Sequence, residues 1–436
     1  MLALVLAVAS LALGGCAGDA TDSASLDDSV ASGTSAPATD LGPPAGGSSF
    51  LREGIDGEAV LHLGMSDRPG NAAALATEGV AQLRYQYLAG GIGTGWTTWT
   101  PGAPFVRDYA AESADAGLVP VFSYYQLVQS VSEDVAEGDR PFRVLEDPAL
   151  VRQYFEELAE FFDQAAASGA PHVILHLEPD FWGFAQQNSS DDPSTITVDL
   201  DSLSDLVGDG LPQDLSGLAQ AVLRMRDERA PNVSVAYHMS FWGSGEDPIL
   251  SDASPRRVDA LADRSIAFYE ALDAPFDLTF TELGDRDAAF RQEIYGQDES
   301  AWWTPEDFER HRRYVQRFSS ATSQDIVIWQ IPYGNTQMRA MDNTWNHFQD
   351  NKVEWLLDDP SGAHLQAYVD AGVVALLFGR GADGATDASD ANGDGVTNPP
   401  AINGNDTGSF NADDDGGFFR HVATRYYDGS PVPLRR

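Results

Sequence analysis

Cysteine is all but absent. The chain of 436 residues has one, Cys16, so no disulfide can form within it. Basic residues are scarce: 26 Lys and Arg stand against 67 Asp and Glu, for a net charge of −41. Long-range repulsion then opposes nucleic acid, anionic lipid surfaces and polyanionic substrates, while a neutral ligand meets no such barrier. The apolar opening "MLALVLAVASLAL" is too short to span a bilayer and has the length of a signal-peptide core.

That opening runs into "LGGC", Leu13 to Cys16. A leucine, two small residues and a cysteine resemble the lipobox of bacterial lipoproteins. The resemblance implies a lipidated Cys16 and an extracytoplasmic, membrane-anchored protein that touches the membrane through its lipid only. From Ala17 to about Ser49 the chain is Ser, Thr, Asp, Ala, Gly and Pro with few large apolar groups. Such a segment buries too little surface to offset its ordering entropy and reads as a flexible tether. The expected organisation is a leader over 1–15, a tether over 16–49 and one catalytic domain over 50–436, monomeric.

Within 50–436, eight short apolar runs follow helix-like segments. They are "AVLHLGMSD", "AQLRYQYLAGG", "LVPVFSYYQL", "HVILHLEPD", "NVSVAYHMSFWG", "FDLTFTELGD", "DIVIWQIPYGN" and "GVVALLFGR". The clearest intervening helix is "DPALVRQYFEELAEFFDQAAASG", with Asp147 as N-cap, Pro148 at the first position and Gly169 at the end. Strands that alternate with helices imply a parallel sheet, because each parallel connection needs a crossover. No Gly-rich phosphate turn follows the first run, which speaks against an open dinucleotide-binding sheet. The expected fold is α/β, a closed (β/α)8 barrel. Helix-to-strand connections are short and strand-to-helix loops long, so the face beyond the strand ends is the working face.

The fourth run ends in Glu178, Pro179 and Asp180. Alternation along a strand puts polar groups of the other runs at the same rim: Arg84 and Gln86, Tyr125, His238 and Ser240, Glu282, and Gln330. Two carboxylates across a barrel mouth are what glycosidic bond cleavage needs, one as acid and one as nucleophile or base. Glu178 and Glu282 form the expected pair, with Asp180 and Asp285 as substitutes. Trp96, Trp99, Trp182, Trp242, Trp302, Trp303 and Trp345 all follow strand runs, on the side where a sugar ring could stack on an indole. The substrate-binding set is therefore Arg84, Gln86, Tyr125, Trp96, Trp182, His238, Trp242, Gln330 and Trp345, around a neutral poly- or oligosaccharide.

"HVILHLEPDFWG" followed by "PNVSVAYHMSFWG" resembles the centre of glycoside hydrolase family 6, the cellulase barrel. There an apolar strand ends in Glu-Pro-Asp and the next opens with Pro-Asn-Val. The resemblance implies a catalytic acid in the loop about forty residues earlier, where Glu133, Asp134, Glu137 and Asp139 stand. The family's Asp-Arg-Asp motif is replaced by "VFSYYQLVQS", which leaves a wider resemblance to barrel glycosidases.

"DASDANGDGVTNP" carries Asp390, Asn392 and Asp394 at alternate positions, then Gly395, the start of an EF-hand-type Ca²⁺ loop with the Val396 carbonyl as a further ligand. Ala401 stands where the closing Glu belongs, so Asp387, Asn398 or Asp413 to Asp415 would complete the shell. Structural Ca²⁺ is the expected cofactor, with no organic group. Two alternatives stand beside the hydrolase: a barrel that only binds glycan, and a metal-dependent hydrolase on His62, His176 and His238.

Overall fold

The computed structural model describes residues 49–55, 57–100, 104–298 and 301–434. The expected leader, Cys16 and the tether up to residue 48 lie outside the described residues. Eight strands, β1 (His62–Ser66), β2 (Leu83–Leu88), β3 (Val119–Tyr124), β4 (Val173–Leu177), β5 (Val233–His238), β6 (Leu278–Glu282), β7 (Ile326–Ile331) and β8 (Val373–Phe378), form a closed barrel. Each pairs in parallel with the next, and β8 returns to β1. This is the TIM-type α/β architecture that the alternating pattern implies.

Every residue of β3, β4, β7 and β8 is buried. Outward side chains lie under helices and inward ones fill the barrel, which is why these runs are mostly apolar rather than alternating, with Ser123, His176 and Gln330 as the polar members. The covering helices start where the sequence places their caps. Asp147 accepts from Ala149 N at 2.9 Å and opens Pro148–Ala167, which buries Tyr154, Phe155, Leu158, Phe161 and Phe162 along one stripe. Thr304 and Asp307 form a reciprocal capping box at the start of Pro305–Thr322. That helix packs on Pro255–Ala271, with Arg313–Asp259 and Arg317–Asp263 ion pairs on the outer side. Exposed pairs of this kind contribute about 1 kcal/mol or less each, so the apolar contacts beneath them carry the packing.

Strand β2 decides which groups reach the lumen, and it corrects the expectation. Leu83, Tyr85 and Tyr87 alternate on one side, and Tyr85 and Tyr87 pack on Trp329 of β7 at 6.4 and 5.6 Å. Arg84 and Gln86 therefore face outward. Arg84 is wholly buried against the helix Phe105–Asp115, paired with Asp67 at 2.8 Å and with Glu112. Gln86 donates to the Asp67 carbonyl at 2.6 Å. A period-two strand has two faces, and here the tyrosines took the inner one.

Candidate active site

The mouth at the C-terminal ends of the strands is lined by groups from six successive strands, β2 to β7, and the loops after them. Tyr87 comes from β2, Tyr125 follows β3, Asp180 follows β4, His238 ends β5 and Glu282 ends β6. Asp180 lies in the first turn of the helix Pro179–Ser189, where the helix dipole favours a negative group. The Tyr125 hydroxyl donates to Asp180 Oδ2 at 2.7 Å. His238 Nε2 lies 2.8 Å from Glu282 Oε2.

Burial raises the Asp180 carboxyl above the ordinary Asp range; the Tyr125 hydrogen bond and the nearby His238 and Arg286 oppose this, and the Glu282 charge adds to it. The two carboxylates thus feel one another across the mouth. Of the four acids left open in the loop after β3, Glu137 comes within electrostatic reach of Asp180. Its carboxyl is also raised, first by burial and then by the Asp180 charge. Asp247, after β5, is raised mainly by burial, and the Glu282 charge pushes it the same way.

Glu178 is elsewhere, and this is the main correction. Its backbone adopts φ 46° and ψ 71°, so the strand alternation that would aim it into the lumen stops at Leu177. The carboxylate instead lodges in the barrel wall, taking both Gln126 N, at 3.1 Å, and Leu127 N, at 3.1 Å. Burial beside Tyr154 and Tyr124 pushes it up to about 8 despite those two amides. Asp180, two residues on and inside the helix, takes the position at the mouth that Glu178 vacates. Asp285 is also occupied, ion-paired with Arg286 and Arg291.

The tryptophans divide. Trp96 and Trp182 are wholly buried, which removes both from the substrate-binding set. Trp96 packs edge-on against Tyr124, and Trp182 donates to the Leu177 carbonyl while packing on Tyr237 and Phe276. Trp96 lies in a short helical turn after β2 and Trp182 in the helix Pro179–Ser189, and both point into the core. Trp242 is half-buried on Phe184, 4.8 Å away, and Trp303 packs on Phe308. Trp345 is 52 % exposed. Its indole lies flat over Gly384, where a Cβ would meet the ring at 2.3 Å, so only glycine admits that approach.

Three groups at the mouth escaped the sequence reading: Tyr87, Trp329 and Arg286. Gln330 has φ 58°, and β7 shifts register against β8 next to it. The irregularity lets Trp329 stay in the lumen while Gln330 Nε2 reaches the Tyr87 hydroxyl at 2.5 Å. A Trp inside a continuous apolar run carries no signal that separates lumen from outer wall. Arg286 follows β6 in a loop, and its partners were not readable from spacing.

The three histidines of the metal-hydrolase reading do not assemble. His62 sits at the opposite, N-terminal end of the barrel with Gln82 and the Leu51 carbonyl, while His176 and His238 bond to each other. Among the described residues no group of three or more His, Cys, Asp or Glu is gathered closely enough to hold a metal. In the loop after β8, Asp390 accepts from Asp394 N at 3.0 Å and Gly395 N at 3.2 Å. Asp394 accepts from Val396 N at 2.9 Å and meets His347 Nε2 at 3.0 Å. Asn392 is an exposed position of that loop.

Fold and site together define a closed (β/α)8 barrel with an acidic, histidine-backed mouth. No family model matches the chain, and no curated protein sequence matches it. Solved structures do. A GH26 β-mannanase from Bacteroides ovatus is similar at 11% identity and TM-score 0.41, over 74% of this chain and 81% of that one. A GH26-CBM35 β-(1,4)-mannanase from Podospora anserina is similar at 12% identity and TM-score 0.39, over 91% and 70%. A D-psicose 3-epimerase from Clostridium cellulolyticum is similar at 8% identity and TM-score 0.38, over 84% and 97%.

Proposed function

We propose that the protein is a glycoside hydrolase acting on a neutral poly- or oligosaccharide, with Asp180 and Glu282 as its carboxyl pair. The observation that carries the reading is their unlike setting in one mouth. Asp180 is held by a phenol and raised by burial, which suits a proton donor to the leaving oxygen. Glu282 has an imidazole at 2.8 Å, which suits the ionised partner that attacks the sugar or activates water. Tyr125, Tyr87, Gln330 and Arg286 are placed to meet hydroxyls, and Trp242 and Trp345 to meet a sugar face.

A panel of neutral glycans assayed for reducing-end release tests this. Asp180→Asn and Glu282→Gln should each lower turnover by about 10²-fold or more and leave glycan binding in place, since each removes a proton-transfer or nucleophilic group. No release from any neutral glycan by the wild-type chain overturns the proposal; retained binding would then favour the glycan-capturing barrel.

Two expectations accompany the proposal. Lipidation at Cys16 places the barrel outside the cytoplasm, and Cys16→Ser should release the chain from the membrane fraction. Ca²⁺ at Asp390, Asn392, Asp394 and the Val396 carbonyl would stiffen the loop after β8. Chelation should then lower the unfolding temperature by a few degrees, as loss of a ligand specific to the folded state does.

A further inference from the structure

Four polar side chains form a hydrogen-bonded line inside the barrel, one from each of four successive strands. Ser123 Oγ on β3 is 3.1 Å from His176 Nδ1 on β4; His176 Nε2 is 2.9 Å from His238 Nδ1 on β5; His238 Nε2 is 2.8 Å from Glu282 Oε2 on β6. Register explains the climb. Ser123 pairs with His176, but His176 pairs with Ala236 and His238 with Phe280. Each of the last two steps therefore rises by two residues, one inward-facing layer, until the line meets the mouth.

The line admits few proton arrangements. His176 is wholly buried, stacked on Phe280 at 4.3 Å with Trp329 edge-on at 4.8 Å. Burial there, with His238 beside it, holds its ring well below the ordinary histidine range and keeps it neutral. An ionised Glu282 only accepts, so His238 Nε2 must donate to it. Neutral His238 then accepts at Nδ1, His176 must donate from Nε2 and accept at Nδ1, and the Ser123 hydroxyl donates. All three hydrogen bonds are satisfied at once.

A proton added to His238 reverses this order. His238 Nδ1 would then carry a hydrogen facing His176 Nε2, so His176 would have to move its own proton to Nδ1. Ser123 Oγ would become an acceptor, with its own hydrogen left over. Among the described residues that hydroxyl makes no other side-chain hydrogen bond. Proton uptake at His238 therefore keeps all three hydrogen bonds of the line but leaves the buried Ser123 hydrogen without an acceptor.

We propose that Ser123 and His176 are positioning residues that hold His238 in the tautomer that donates from Nε2 to Glu282 during turnover. The role rests on the glycosidase reading for its consequence, though not for its geometry. Other groups face the same pair. Asp180, Asp247, Arg291 and Tyr314 lie within electrostatic reach of Glu282, Asp180 also of His238, and His311 Nε2 lies 3.1 Å from the Glu282 main-chain oxygen. A Ser123→Ala substitution leaves all of these in place, so a shift on substitution reports the line alone.

Two measurements decide it. In Ser123→Ala the acidic limb of the pH profile of kcat/KM should move while KM at the plateau stays unchanged, because the two proton arrangements of the line use the Ser123 hydroxyl in opposite senses. A lower plateau with an unmoved limb would mean that Ser123 only fills space, and would overturn the proposal. Separately, ¹⁵N-imidazole NMR of the labelled wild-type chain, with resonances assigned through His176→Gln and His238→Gln, should show both rings as neutral Nε2–H tautomers at neutral pH. A His176 Nδ1–H tautomer overturns the proposal without reference to activity. Should the wild-type chain cleave no glycan, the hydrolase reading fails and the NMR result still judges the line. If the assignment variants do not fold, neutron diffraction on wild-type crystals reads the same protons.

Discussion

The wall position of Glu178 makes a prediction that needs no substrate. Its carboxyl is pushed from an ordinary 4.5 to about 8 because burial outweighs the two backbone amides it accepts from. In the unfolded chain the group ionises near the ordinary value, so between these limits the folded state holds the proton and the unfolded state does not. Stability contributed by the group is complete below the unfolded value and is lost as pH rises through the folded one. Between about pH 4 and about pH 7 the loss is roughly 3 kcal/mol, at about 1.4 kcal/mol per unit of pH. Glu178→Gln keeps the shape and removes the titration. Urea unfolding of both proteins across this range should show the deficit of the variant shrinking by that amount as pH rises. The other buried acids titrate alike in both chains and cancel in the difference. A deficit flat with pH would refute the reasoning. Turnover abolished at unchanged stability would refute it differently, by returning Glu178 to the chemistry.

Tyr125→Phe removes the donor to Asp180 and should raise that carboxyl further, moving the alkaline limb of the kcat/KM profile up by about one unit. Arg84→Met leaves Asp67 unpaired in a buried setting and should cost about 3–5 kcal/mol in denaturant unfolding, with KM of the folded fraction unchanged. Trp345→Ala exposes no core and should leave the unfolding free energy within about 0.5 kcal/mol of wild type. Its effect should fall on glycan affinity, read by titration calorimetry, and equal affinity for the variant would remove Trp345 from the binding surface.

The barrel and the face that carries the long loops were legible in the residues alone. Eight apolar runs between capped helices leave few ways to pair in parallel, and Asp147, Ser254 and Thr304 mark helix starts through local hydrogen bonds that any context preserves. Long loops after the strands located the mouth, and Tyr125, Asp180, His238, Glu282 and Gln330 stand around it. Which side of each strand end faces inward was settled by packing. A left-handed residue at Glu178 swaps the wall carboxylate for Asp180, the tyrosines of β2 displace Arg84 and Gln86 from the lumen, and a register shift on β7 keeps Trp329 inside. Period-two alternation is blind to such events, because one backbone angle inverts it and nothing in the residue's identity announces the change. The ascending line from Ser123 to Glu282 was hidden for a related reason: its members sit 44 to 62 residues apart, and they meet only because closing the barrel staggers neighbouring strands.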